Sequence, residues 1–239
     1  MEIKAIDTRL LPYKRLPVKI IHVESPLLFW VQLQHNENNL TRLEKELNLR
    51  MAERVASPHE WREIKLREAI AVKEEGYWRR GLITKINKPR DRIRISLGDI
   101  GSKIYRPIHE IYKLEDKFKE LPWQAIACGL AHTGPRIPLP TWPYETRKLC
   151  KFLIKGNDGW IDIILPLWEG AALVRLGVKT TNFNAFYDFQ EALIRIGHAR
   201  RSKRMAEHVF PAVKKKKTHT HKYIHNFLLV ITLVTDYYL

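Results

Sequence analysis

Apolar positions change period several times along this chain, and each change marks an element. Residues 1–15 read as an extended lead-in. Residues 18–23 and 28–33 are short apolar-rich runs with Ser25-Pro26 between them, the pattern of two strands and a turn. The spacing then becomes helical. Leu40, Leu43, Leu47 and Met51 recur at three- and four-residue steps and give one narrow apolar stripe. Thr41 and Glu44 form a capping-box pair at the start of this helix, and Ser57-Pro58 ends it. From Glu68 to about Lys113 the period falls to two. Strands are predicted over 69–72, 78–86 and 102–106, with another on which Ile93, Ile95 and Leu97 share a face. Glu75-Gly76 and Lys88-Pro89-Arg90-Asp91 supply turns, and Gly98-Asp99-Ile100-Gly101 a sharp bend. Four or five short strands at this spacing make a small barrel.

A proline-rich loop over 135–143 follows. The next helix is predicted over 143–155, with Pro143 in its first turn, Gly156 at its exit and Leu149, Phe152 and Leu153 as its buried side. Residues 160–165 and 172–178 read as strands. A last helix begins near Asn184, with Phe186, Phe189, Leu193 and Ile196 as its stripe and Arg200–Arg204 as its basic end. The order predicts a mainly β chain with helices (α+β), in which one sheet-rich unit is inserted inside another.

Composition narrows the class. The 239 residues are 45% hydrophobic and 28% charged, too apolar for a disordered chain. Two cysteines, Cys128 and Cys150, exclude a disulfide framework and have no zinc-finger spacing; two buried thiols are expected. No apolar run follows the N-terminus as in a secretory signal, and the longest one, 227–234, falls short of the ~20 residues of a membrane span. A soluble intracellular chain with no membrane partner is expected.

The net charge of +16 is uneven. Residues 1–178 hold 31 basic and 22 acidic residues, and 179–239 hold 11 and 4. The blocks Arg200–Arg204 and Lys214–Lys217 have the form of a bipartite nuclear-import signal or of a phosphate-binding tail, but short basic runs are common and a solvated charged face with a loose tail is the preferred reading. Arg92 and Arg94 alternate with Ile93 and Ile95, which puts both arginines on one strand face. Such a face suits RNA phosphates, and is also what the wet side of a half-buried sheet looks like.

Four segments in order carry a family resemblance. Residues 23–33 (Val-Glu-Ser-Pro-Leu-Leu-Phe-Trp-Val-Gln-Leu) resemble the opening hairpin of the extended Tudor domain. Residues 76–83 (Gly-Tyr-Trp-Arg-Arg-Gly-Leu-Ile) resemble its W-Y-R-A strand, and 95–102 its Y-I-D-Y-G-N turn. Residues 121–130 (Leu-Pro-Trp-Gln-Ala-Ile-Ala-Cys-Gly-Leu) resemble the segment where its chain re-enters the outer unit. The resemblance covers about 16–178. It implies a Tudor-type, SH3-like barrel inserted into a staphylococcal-nuclease-like OB fold and linked by a long helix. The implied divisions are 16–66 for the first OB part and linker helix, 67–120 for the barrel, 121–205 for the second OB part, and 206–239 for a poorly ordered tail.

The resemblance also implies a function. Such domains occur in germline Tudor proteins of the piRNA transposon-silencing pathway, where many bind symmetrically dimethylated arginine of Piwi proteins. Aromatic faces surround the methylated guanidinium, and an Asn accepts its N–H. Here Trp78 and Arg80 fall on the W and R of W-Y-R-A, but Arg79 falls on the cage Tyr. Asp99 and Gly101 match the turn, but Leu97, Ile100 and Ser102 stand at its two Tyr and its Asn. The earlier cage aromatic falls near Val72 or Lys73. Arg79 would also repel a cationic ligand. The cage is therefore expected to be degraded, with Tyr77 and Tyr105 as possible replacement aromatics. Trp78 is expected in the barrel core, and Asp99 as a brace of the turn with Arg80 as an ion-pair partner.

The leading expectation is a non-enzymatic adaptor for Piwi-pathway or other germ-granule proteins, in perinuclear cytoplasmic granules, with the nucleus open through the basic blocks. A methylarginine reader with a non-standard cage is one alternative. RNA binding through Arg90, Arg92, Arg94 and Trp30 is another. Nuclease chemistry needs clustered carboxylates, and Asp158 and Asp162 around Trp160 are accounted for by a hairpin. No catalytic residue, cofactor or metal is expected; His219, His221 and His225 read as part of a polar stretch.

Overall fold

In the computed structural model the described residues are 2–12, 14–53, 59–60, 63–138, 141–167, 170–180 and 185–203. The Ser57-Pro58 helix end, the Asn184 helix start, the Lys214–Lys217 block, the tail histidines and the rest of 206–239 lie outside them.

The chain opens with strands β1 (Leu16–Ser25) and β2 (Leu28–Leu33) in an antiparallel hairpin. One 3-10 turn leads into helix α1 (Glu37–Glu53). Its stripe is the predicted one: Leu40, Leu43, Leu47 and Met51 are buried. Its start is not. The helix begins four residues before Thr41, because β2 runs almost directly into it, so Thr41 lies inside and no capping box forms there. Glu44 is free to serve elsewhere.

Five strands follow: β3 (Ala69–Glu74), β4 (Tyr77–Asn87), β5 (Arg92–Leu97), β6 (Ser102–Arg106) and β7 (Ile111–Lys113). They form one antiparallel sheet in the order β6-β5-β4-β3-β7. Ile70, Val72, Ile83, Ile93, Ile95, Leu97 and Ile111 fill this barrel. β-branched side chains at alternate positions suit a pleated surface with one buried face.

The chain then returns to its first unit. It adds β8 (Ile126–Leu130), β9 (Thr133–Pro135), α2 (Tyr144–Ile154), β10 (Asp158–Pro166), β11 (Ala171–Lys179), β12 (Phe186–Asp188), α3 (Phe189–Arg195) and β13 (Ala199–Arg201). The larger sheet runs β10-β1-β2-β8-β11, and a β10–β11 pairing closes it. Among the described strands of this sheet, only β8 and β11 pair in parallel. Five strands in this cyclic order, with a helix between the third and fourth, form an OB barrel. The smaller barrel enters between its second and third strands. This is the nested α+β architecture that the sequence predicts.

Two helices differ from expectation. On α2 the buried residues are Thr146, Cys150 and Ile154, while Phe152 is 84% exposed. Small Thr and Cys side chains let the helix lie close to the sheet, so the packed stripe is not the one with the largest residues. The last helix is short. Phe186 stands exposed on β12, Phe189 and Leu193 are buried, and Ile196 is half exposed. Asp188 caps it by accepting from the Glu191 N–H at 3.1 Å. Ala199–Arg201 is not helical but a strand paired with β9.

Candidate functional site

The β3–β4 turn and the bend over 98–101 lie at one end of the small barrel, since successive antiparallel strands alternate direction. This end also meets the OB unit. Gly101, at φ +73°, sits against the Trp30 ring: a Cβ there would lie 2.3 Å from Trp30 Cγ. A Cβ on Gly98 would lie as close to Trp123. Only glycine allows this approach.

Between these contacts lies a buried ion pair. Arg80 Nε and Nη2 donate to the two Asp99 carboxylate oxygens at 2.9 and 2.7 Å. Its remaining N–H groups donate to the carbonyls of Phe118, Leu121 and Pro122, and its guanidinium lies 4.9 Å from the Trp123 ring centroid. Asp99 Oδ1 also accepts from the Gln124 N–H, and its carbonyl accepts from Gln32 Nε2 at 2.6 Å. Asp99 therefore braces the bend with Arg80 as foreseen, while the N–H it holds belongs to the re-entry segment. Trp123, Gln32 and Gln124 were not singled out from sequence; Gly98 and Gly101 were the only local sign of a close approach.

Trp78 is not in the barrel interior. It faces the other way, half buried in the cluster around α1, with Tyr112 edge-on at 5.2 Å. The barrel interior is filled by isoleucines, leucine and valine, and the largest fully buried side chain on β4 is Arg80.

The positions corresponding to the family's cage are spread over this end. Arg79 pairs with Glu44 of α1, and its guanidinium lies 5.7 Å from the exposed Tyr77 ring. Burial holds the Glu44 carboxyl above its usual range, against the attraction of Arg79. Leu97 is fully buried in the barrel core, and Ile100 packs partly onto it. Ser102 is half buried opposite Leu97, Val72 is in the core, and Lys73 is exposed. Tyr77 and Tyr105 are not brought together. Each faces an arginine of its own chain, and neither contacts another aromatic ring among the described residues.

The RNA candidates separate. Arg90 and Arg92 are exposed. Arg94 is covered by its neighbours: it is 4% exposed, with Nε donating to Thr84 Oγ1 at 3.3 Å. Trp30 is 4% exposed under Gly101 and is no stacking platform. Both shift from candidate contacts to packing because neighbouring elements cover them.

Comparison with known proteins agrees with this geometry. Human RING finger protein 17 is 28% identical over 122 residues, covering 51% of this chain and 7% of that protein. The chain thus spans only a small part of its curated relative. The extended Tudor domain TD3 of mouse TDRD1, solved with a MILI peptide containing dimethylarginine, superposes with a TM-score of 0.73 at 16% identity, covering 84% of this chain and 99% of that one. A single-substitution variant of the Drosophila melanogaster Papi extended Tudor domain, solved with an unmethylated Piwi N-terminal peptide, gives 0.68 at 21% identity, covering 79% and 99%. Both show the same nested fold. The family model for the Tudor domain matches residues 12–132, half of the chain, and the protein therefore belongs to the Tudor-domain family, in its extended form.

Proposed function

We propose that this chain is a non-enzymatic protein–protein adaptor of the Piwi pathway whose barrel end no longer recognises methylarginine. The observation that carries this reading is the state of Arg79. By the resemblance Arg79 falls at the position of a cage tyrosine; its guanidinium lies over Tyr77 and is paired with Glu44, so the exposed ring nearest that position already has a cation of this chain beside it. The burial of Leu97 supports the same reading, since a side chain packed in the core offers no wall to a ligand. A relative that holds an unmethylated Piwi peptide makes methylation-independent docking a reasonable mode. The partner is then a Piwi-type or other germ-granule protein, met in perinuclear granules.

Calorimetric titration with Arg-Gly peptides in unmethylated and symmetrically dimethylated forms tests this. Affinities within about twofold of each other are expected, because methylation keeps the charge and an absent aromatic cage gains nothing from it. A preference of about tenfold or more for the methylated peptide overturns the proposal in favour of a reader with a non-standard cage.

A further inference from the structure

We propose that the outer face of the β4–β5 hairpin, together with Tyr105 of β6, binds single-stranded nucleic acid. Lys85, Lys88, Arg90 and Arg92 are all exposed there. The register places them together. Lys85 and Tyr105 lie opposite Arg94 from either side, Asn87 lies opposite Arg92, and the turn holding Lys88 and Arg90 joins the two strands.

An exposed cation alone means little, since water solvates it well. Density and a neighbouring ring distinguish this face. Some arginines find carboxylates, as Arg50 does with Glu115, Arg106 with Glu74 and Glu110, and Arg175 with Asp188, whereas here four exposed cations fall within the segment 85–92, beside the exposed Tyr105. Lys85, Lys88, Arg90 and Arg92 have no such partner among the described residues. The two acidic residues in the segment 85–106 are both engaged. Asp91 accepts from the Ile108 N–H at 3.0 Å, and Asp99 is buried on Arg80. Asp91 keeps its charge but is one carboxylate among four cations, so the face keeps a net positive charge, which phosphates neutralise with release of counterions.

The ring selects among anions. Tyr105 is 40% exposed, and Arg92 stacks on it at 4.8 Å. A base has a π-face for such a ring and such a planar cation, whereas an acidic peptide uses only the charge. This surface lies away from the bend that meets the OB unit, so nucleic acid and a protein partner need not compete.

Anisotropy titrations of the full chain with labelled oligouridine and oligodeoxythymidine, between about 50 and about 300 mM salt, test the proposal. The expected result is salt-dependent binding, with the tighter oligonucleotide identifying which nucleic acid is preferred. Combining Lys88→Ala, Arg90→Ala and Arg92→Ala should weaken binding about tenfold or more and flatten the log–log salt slope by about 2, at ~0.7 per contact. Tyr105→Ala should weaken it about fivefold or more without changing the slope, and Tyr105→Phe should restore it. All four positions are exposed, so melting curves should match the parent. Unchanged binding by the triple variant would assign the affinity to another basic part of the chain and overturn the proposal. Equal affinity for a polyglutamate peptide, indifferent to Tyr105→Ala, would overturn it in favour of an acidic protein partner.

Discussion

Arg80 donates through all five of its N–H groups, to Asp99 and to three backbone carbonyls. Removing one partner of a buried pair leaves the other charge uncompensated, at a cost of ~3–5 kcal/mol. Asp99→Ala should therefore lower the unfolding free energy by about that amount in urea titration, and a loss below about 1 kcal/mol would contradict the bracing role. Glycines give a finer test. Gly76 and Gly101 both have positive φ, but a Cβ on Gly76 meets nothing within 4 Å, whereas on Gly101 it meets Trp30. Both alanine variants carry the backbone penalty, and Gly101→Ala adds overpacking. It should be the less stable of the two by about 1–3 kcal/mol, read from denaturation midpoints. Asp99, Arg80 and Gly101 were legible because they stand in the segments that resemble the family's strand and turn, and Gly98 because the Gly-Asp-Ile-Gly run marks a bend. Trp30 and Arg94 were misread because what covers them is remote in sequence, and periodicity reports only which face a residue is on.

At the scale of elements, α1 and α2 show what patterning conveys. The α1 stripe was legible because its leucines recur over more than three turns. The α2 stripe was not, because Thr146 and Cys150 lack the bulk by which a buried face is recognised. The same packing controls thiol chemistry. Burial pushes the Cys150 thiol up to about 12 and raises Cys128 as well, so neither forms thiolate readily. A disulfide reagent at about pH 8 should leave both unmodified in the native chain and label both in denaturant; rapid native labelling would contradict the α2 packing. On α1, Glu44 is half enclosed beside Arg79. Its folded pKa lies above the ordinary 4.5, chiefly through burial. The folded chain then holds the Glu44 proton more tightly than the unfolded one. This contribution favours folding at low pH and fades as pH rises through the folded value. Glu44→Gln should remove that decline, so the stability of the parent relative to the variant should fall as pH rises above about 4.5. A parallel pair of stability–pH curves would contradict it.

At the scale of the molecule, the insertion point decides how the two barrels depend on each other. β2 and β8 are adjacent in the OB sheet, with Phe29 opposite Cys128, although the whole small barrel lies between them in sequence. The inserted barrel must therefore leave and return at one place, and the bend over 98–101 lies against both connections: Gln32 reaches the Asp99 carbonyl from the first, and Gln124 donates to its carboxylate from the second. The two barrels have separate cores, one built on Phe29, Val31, Leu130 and Val174 and the other on Ile70, Ile83 and Ile95. Separate cores favour separate melting, and the shared bend opposes it. We expect one calorimetric transition for the parent, with calorimetric and van't Hoff enthalpies equal. Removing both ties, with Asp99→Ala and Gln32→Ala together, should split it, the small barrel melting first because its core is the smaller of the two and it loses the Arg80 brace. Near-ultraviolet dichroism should locate the early step at Trp78 and Trp123, which pack with the small barrel and α1. A parent with two resolved transitions, or a double variant that still melts as one unit, would show that the bend does not couple the barrels.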